Sequence, residues 1–204
     1  MLRKRTKQDQ EVVRNWEEFL NPAILRGKLI SASIYLALFE LLKDSVVDHI
    51  KSFFTSGFDQ NGSTTDPKYH SEVLVRNPSR LYASLSWLHE HNVIDEKDIE
   101  SFEQIKKTRN RVAHEMLQLA TKHSKPDHLK ELPVLIALLR KIEVWWILNV
   151  EIPTNPDFDG AEIDEDGILP GPLMAARIMT DVALGSEEEA SRYLNALHES
   201  KSKL

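Results

Sequence analysis

From Pro22 to Gly57, Ile24, Ile30, Ile34, Leu38, Leu41, Val46, Ile50 and Phe53 continue a three- to four-residue period, with no proline between them. An apolar period sustained over that length belongs to one long helix, because a strand would need a period of two. Pro22 suits a first helical position, and Gly57 is a natural C-terminal stop. Inside this run, LISASIYLALFELL (29–42) is the longest apolar stretch and carries Glu40. It falls short of the ~20 residues that cross a bilayer, so it reads as a core helix.

The remaining text is punctuated in the same manner. Val12, Val13, Trp16, Phe19 and Leu20 mark a helix over 10–20 that Asn21-Pro22 breaks. FDQNGSTTDP (58–67) has the composition of a mobile surface loop. Asn77-Pro78 can cap a third helix, whose Leu81, Leu85 and Leu88 form a stripe ending near Asn92. Asp95 caps a fourth, over about 96–122, and Ser124-Lys-Pro-Asp127 begins a fifth that runs to about Val150. In that fifth helix Trp145 and Trp146 are adjacent, so one of them faces away from the intrachain core.

No segment alternates Val, Ile and Thr with a period of two between hairpin turns, which makes the fold class all-α. The expected architecture is an up-and-down antiparallel helical bundle of four to five helices with a short C-terminal helical appendage. Composition does not break before residue 151, so residues 1–150 are expected to form the bundle. Residues 151–204 open with EIPTNPDFDGAEIDEDGILPGP, an acidic, Pro- and Gly-rich wrapping segment. Two short helices are expected after it, 172–184 ending at Gly185, and 187–199 opened by Ser186 with Glu189 in a capping box.

A net charge of -6 argues against a protein that coats nucleic acid nonspecifically, since such binding is driven by phosphate neutralisation. The chain has no cysteine, hence no disulfide, no thiolate metal site and no Cys nucleophile, as suits a reducing cytoplasm. The basic start MLRKRTKQDQEVV lacks the apolar core of a secretory signal. Neither a metal nor a cofactor is expected. His89 and His91 flank Glu90, but residues two apart on a helix point in different directions. DFDGAEIDEDG (157–167) has Ala161 where a calcium loop needs an oxygen ligand. No Gly-rich phosphate loop, Ser/His/Asp set or dinucleotide fingerprint is present.

The chemistry is concentrated in KKTRNRVAHEM (106–116). On a helix at 100 degrees per residue, Phe102, Ile105, Val112, Ala113 and Met116 lie within about 60 degrees of Arg109. That puts Arg109 on the apolar face, where a guanidinium must be paired, must reach out to solvent or must line an interface. Glu40, also among apolar neighbours, is the natural partner for a structural ion pair. Asn110 and His114, four apart, share the polar face and can touch, with Lys107 and Arg111 surrounding them in positive charge. These two cations form either a solvated face or an RNA contact. Arg109 and His114 point about 140 degrees apart on one straight helix. They can meet at one phosphate only if the helix is distorted or a second chain contributes.

The RN-x-x-AH string (109–114), the long second helix with Glu40 in ALFELLKD (37–44) and the connector HNVIDEKDIESFEQIKK (91–107) resemble the HEPN superfamily of small helical-bundle proteins. The resemblance covers residues 10–150. It implies a metal-independent endoribonuclease of toxin-antitoxin or phage-defence type, working as a homodimer in which two Arg-x4-His motifs meet. Arg109 would then hold the scissile phosphate and stabilise its developing charge. His114 would act as general base or acid in attack of the RNA 2'-OH on the adjacent phosphate, and Asn110 would steer substrate or histidine. RNA would be the substrate, and an antitoxin or other protein a partner, with no membrane involved. The superfamily also includes noncatalytic members, which leaves a helical interaction or regulatory module as the alternative.

Overall fold

The computed structural model describes residues 6–60, 62–123 and 127–201. Helix dominates them, as the apolar periods require. The first helix, α1, spans Lys7–Leu20 and starts earlier than its apolar pattern, because Thr6 and Asp9 close a capping box. Thr6 Oγ1 accepts from Asp9 N at 3.2 Å, and Asp9 Oδ2 accepts from Thr6 N at 2.9 Å. Asn21 then leaves the helical region, and its Oδ1 accepts from Ala23 N at 3.0 Å, capping α2 over Pro22–Phe53. Residues 1–5 of the basic start lie outside the described residues.

The segment after α2 corrects the expectation of a plain loop. Strands β1 (Thr55–Asp59) and β2 (Gly62–Thr65) form an antiparallel hairpin, with Gly57 opposite Thr64 and a bulge between Thr55 and Gly57. Four- and five-residue strands are too short to show alternation in a sequence this polar. Gly57 therefore sits within a strand, and α2 ends four residues before it.

A π turn (Tyr69–Val73) and a 3-10 turn (Leu74–Arg76) lead to α3, Arg80–Glu90. Ser79 stands at its N-cap, while Asn77, two residues earlier, accepts from Ser79 N at 2.9 Å. The connector reverses at Asn92, whose φ of 55° is left-handed, a region asparagine tolerates better than most residues. α4 (Glu96–His114) begins with Asp95 and Asp98 bonded reciprocally, Asp98 N to Asp95 Oδ1 at 3.0 Å and Asp95 N to Asp98 Oδ2 at 2.9 Å.

The expected fourth helix over 96–122 is interrupted. Glu115 leaves helical geometry (φ −108°, ψ 20°), and a separate short helix, α5, follows over Met116–Thr121. Backbone bonds Glu115 N to Arg111 O and Leu119 N to Glu115 O, 2.8 and 2.9 Å, still bridge this point, so it is a kink. The fifth helix was expected to open at Ser124, but residues 124–126 lie outside the described residues. A 3-10 turn at Asp127–Lys130 precedes α6, Leu132–Trp146. The last stretch to Val150 is a π turn, Ile147–Glu151, followed by the one-turn α7, Ile152–Thr154. α8 (Gly171–Leu184) and α9 (Glu187–Lys201) match the two short helices read from the tail, including the Ser186/Glu189 capping box.

The chain divides into two compact units. One comprises residues 1–37, 106–132 and 177–204; the other comprises 38–105 and 133–176. The second unit holds most of the large apolar core: Leu38, Leu42, Ile50, Leu88, Phe102, Ile105, Leu135, Leu139 and Ile142 are all fully buried. Its tryptophans join a ring cluster, Trp87 stacking on Trp146 at 6.0 Å while Trp145 meets Trp146 edge-on at 5.1 Å. Of the adjacent pair, Trp146 is buried and Trp145 is the more exposed. The first unit buries fewer large side chains. Its buried residues include Tyr35 and Val112 but also the polar Ser31, Thr108 and His128.

Candidate active site and its surroundings

The inward stripe of α4 is Phe102, Ile105, Thr108 and Val112. The expected apolar face was centred on Arg109; the buried Thr108 belongs to the stripe instead. The stripe's centre lies roughly 45 degrees from Arg109, which is half-buried at its edge, and Ala113 is exposed. Thr108 is drawn inward by a hydrogen bond with the Tyr35 hydroxyl, and burial, chiefly, pushes that phenol above its ordinary range.

Asn110 and His114 are both exposed on the far side of the helix. Asn110 faces Arg109 rather than His114, its Oδ1 lying 3.4 Å from Arg109 Nη1. The His114 ring has no hydrogen bond or ion pair among the described residues, so its two nitrogens are available to a ligand. Lys107 is likewise exposed and unengaged among those residues. Arg111 is committed to Asp127 through two parallel bonds of 2.8 and 3.0 Å. Glu40, on the second half of α2, forms a pair with Lys43 one turn on.

Arg109 and His114 both lie within α4, and the kink comes at Glu115, after the motif. The angle of about 140 degrees between them therefore stands. A single chain presents the two side chains to different directions.

Sequence spacing gave no hint of a second histidine cluster, built from residues more than a hundred positions apart. His123, just beyond α5, meets Glu18 and Arg14 of α1, with Nε2 lying 3.4 Å from Arg14 Nη1. Long-range partners of this sort leave no local pattern to find. Elsewhere, His91 stacks on Trp87 at 3.8 Å and Glu90 pairs with Arg76. Among the described residues, no group of three His, Asp or Glu side chains is placed to hold a metal ion, and no helix is long and apolar enough to cross a membrane. No family model, curated protein or solved structure matches the chain.

Proposed function

We propose that this protein is a HEPN-like helical bundle acting as a metal-independent endoribonuclease of toxin-antitoxin or phage-defence type, with a site made by two copies of the chain. The observation that carries this reading is the exposed, unengaged His114 five residues from Arg109 on one regular helix. Two-fold pairing of α4 is the simplest way to give one phosphate both a guanidinium and an imidazole.

In that arrangement one His114 takes the proton of the RNA 2'-OH as the O2'–P bond forms. Solvent water gives a proton to O5' as the P–O5' bond breaks, leaving a 2',3'-cyclic phosphate and a 5'-OH. Arg109 holds the non-bridging oxygens while charge builds on them, and Asn110 helps fix the guanidinium. Lys107 is free to meet the flanking backbone. Arg111 must first leave Asp127 to do so, which makes it the weaker RNA contact. The unit that carries the motif also exposes Trp16, Leu20 and Leu117, at 58%, 68% and 73%, a supply of apolar surface suited to a second copy.

The test is cleavage of RNA by purified protein in EDTA, with His114→Ala abolishing it at unchanged melting temperature. Intact RNA with the wild type, together with normal growth on expression, refutes the reading.

The same apolar surface also favours a second reading, a noncatalytic interaction or regulatory module that binds a protein partner. Arg109 would then be a structural residue. Arg109→Ala would lower the melting temperature while His114→Ala changed nothing.

A further inference from the structure

His123 is held from three sides. Its backbone N–H donates to Asn15 Oδ1 at 2.6 Å, its Nδ1 meets Glu18 Oε1, and its Nε2 lies 3.4 Å from Arg14 Nη1. A guanidinium only donates and a carboxylate only accepts. The two neighbours together therefore select one tautomer, with the proton on Nδ1 given to Glu18 and the Nε2 lone pair facing Arg14. Glu18 is fixed in turn by Lys28, whose Nζ donates to Glu18 Oε2 at 2.9 Å and to the Lys122 carbonyl at 2.7 Å. The Lys28 and His123 bonds hold the Glu18 carboxyl below its ordinary range, so it stays ionised behind the ring.

The Nε2 side opens on a cleft of about 530 Å³ lined by Lys7, Gln10, Glu11, Arg14 and His123. That volume falls within the ~300–1,000 Å³ of small-molecule sites. Lys7 and Glu11 form no ion pair among the described residues, and Lys122 turns its ammonium to Gln118 at 2.9 Å. The charges facing the ring are thus Arg14, Lys7 and Glu11 across the cleft, with Glu18 and Lys28 behind it. Lys7 and Arg14 outnumber Glu11, and the imidazole can add a further positive charge.

We propose that this cleft is a second ligand site, separate from the Arg109/His114 motif, which binds the phosphate of a phosphomonoester and takes up a proton at His123 as it does so. A phosphomonoester is dianionic above pH ~6 and offers nothing to a lone pair. Binding therefore requires Nε2 to gain a proton, giving an imidazolium between the Glu18 carboxylate and the phosphate. Arg14, released from the ring nitrogen, turns its donors to the oxyanion, and Lys7 adds a point charge. The proton comes from solvent and no covalent bond changes.

Titration calorimetry of the full chain tests this at about pH 7.5, where a phosphomonoester is dianionic. The probes are inorganic phosphate, ribose 5-phosphate, adenosine 5'-monophosphate and a short RNA with 5'- and 3'-hydroxyl ends, each in two buffers of different ionisation enthalpy. The expected result is binding of a phosphomonoester or of free phosphate, with the buffer dependence reporting net proton uptake. His123→Gln should abolish that uptake, and Arg14→Gln should weaken binding by about tenfold or more. Arg109→Ala should leave both unchanged. Circular dichroism verifies that each variant is folded, and Lys7→Gln, far from the ring's own bonds, provides a second weakening variant. Binding of the hydroxyl-ended RNA alone, absence of heat with every probe, uptake retained in His123→Gln, or binding lost in Arg109→Ala would each overturn the assignment. These outcomes do not depend on RNA cleavage, so the two sites stand or fall separately.

Discussion

Arg111 grips Asp127 with both arms of its guanidinium, Nη1 to Oδ2 at 2.8 Å and Nη2 to Oδ1 at 3.0 Å, tying the last turn of α4 to the 3-10 turn that precedes α6. The geometry is the bidentate form that orders a carboxylate best. Both side chains are still nearly half exposed, at 41% and 46%. Solvent screening limits such a pair to about 0.5–1 kcal/mol. A double-mutant cycle with Arg111→Ala and Asp127→Ala, read by urea unfolding, should return a coupling of that size that shrinks in high salt. Strict additivity would show that the pair contributes nothing.

The divergence of Arg109 and His114 on α4 gives the composite-site proposal a sharp consequence. Neither Arg109→Ala nor His114→Ala homodimers should cleave RNA. Mixing and re-equilibrating the two should restore about a quarter of wild-type activity, because half of the dimers are mixed and each mixed dimer holds one intact pair. Continued inactivity of the mixture, with mixed dimers demonstrated by a tag, would place both groups in one chain or remove them from catalysis.

Helix existence was readable because α2, α4 and α6 each carry a long apolar period, and the caps at Asn21, Asp95 and Ser186 announce themselves locally. What escaped depends on partners distant in sequence. Thr108 is buried through its bond to Tyr35, a residue far earlier in the chain, and so joins the inward stripe of α4 beside Val112. The kink at Glu115 has no proline or glycine to mark it. The hairpin Thr55–Thr65 was hidden by its brevity. His123 gave no signal at all, since Asn15 and Glu18 lie 108 and 105 residues before it.

Burial separates residues that hold the fold from residues that hold partners. Phe102 is fully buried and packs against Phe39 with ring centres 6.1 Å apart, so Phe102→Ala should cost about 3–5 kcal/mol in urea unfolding. Trp16 is 58% exposed and touches Phe19 at 5.9 Å, so Trp16→Ala should alter stability of the isolated chain by less than about 0.5 kcal/mol. Its effect belongs in sedimentation, as weaker self-association. A large loss of folding stability from Trp16→Ala would mean that the ring serves the fold.

Acid should loosen the first unit through His128. The ring is buried, its Nε2 lies 3.2 Å from Ser31 Oγ, its Nδ1 has no partner among the described residues, and Tyr35 packs edge-on at 5.7 Å. Burial lowers its pKa below the ordinary value of 6.5, with Arg111 acting in the same sense, while Asp127 and the Ser31 bond oppose. Between the folded and unfolded values the unfolded chain binds the extra proton, so stability rises with pH there. The full contribution is present above pH ~6.5 and is lost as pH falls toward the folded value, by at most about 1.4 kcal/mol per pH unit for one proton. His128→Gln, which keeps a donor for Ser31 without a titrating group, should be less stable than wild type near neutrality. The difference should narrow on acidification, read by urea unfolding from about pH 7.5 to 5. Parallel pH profiles for the two proteins would show that His128 takes its proton as easily inside the fold as outside it.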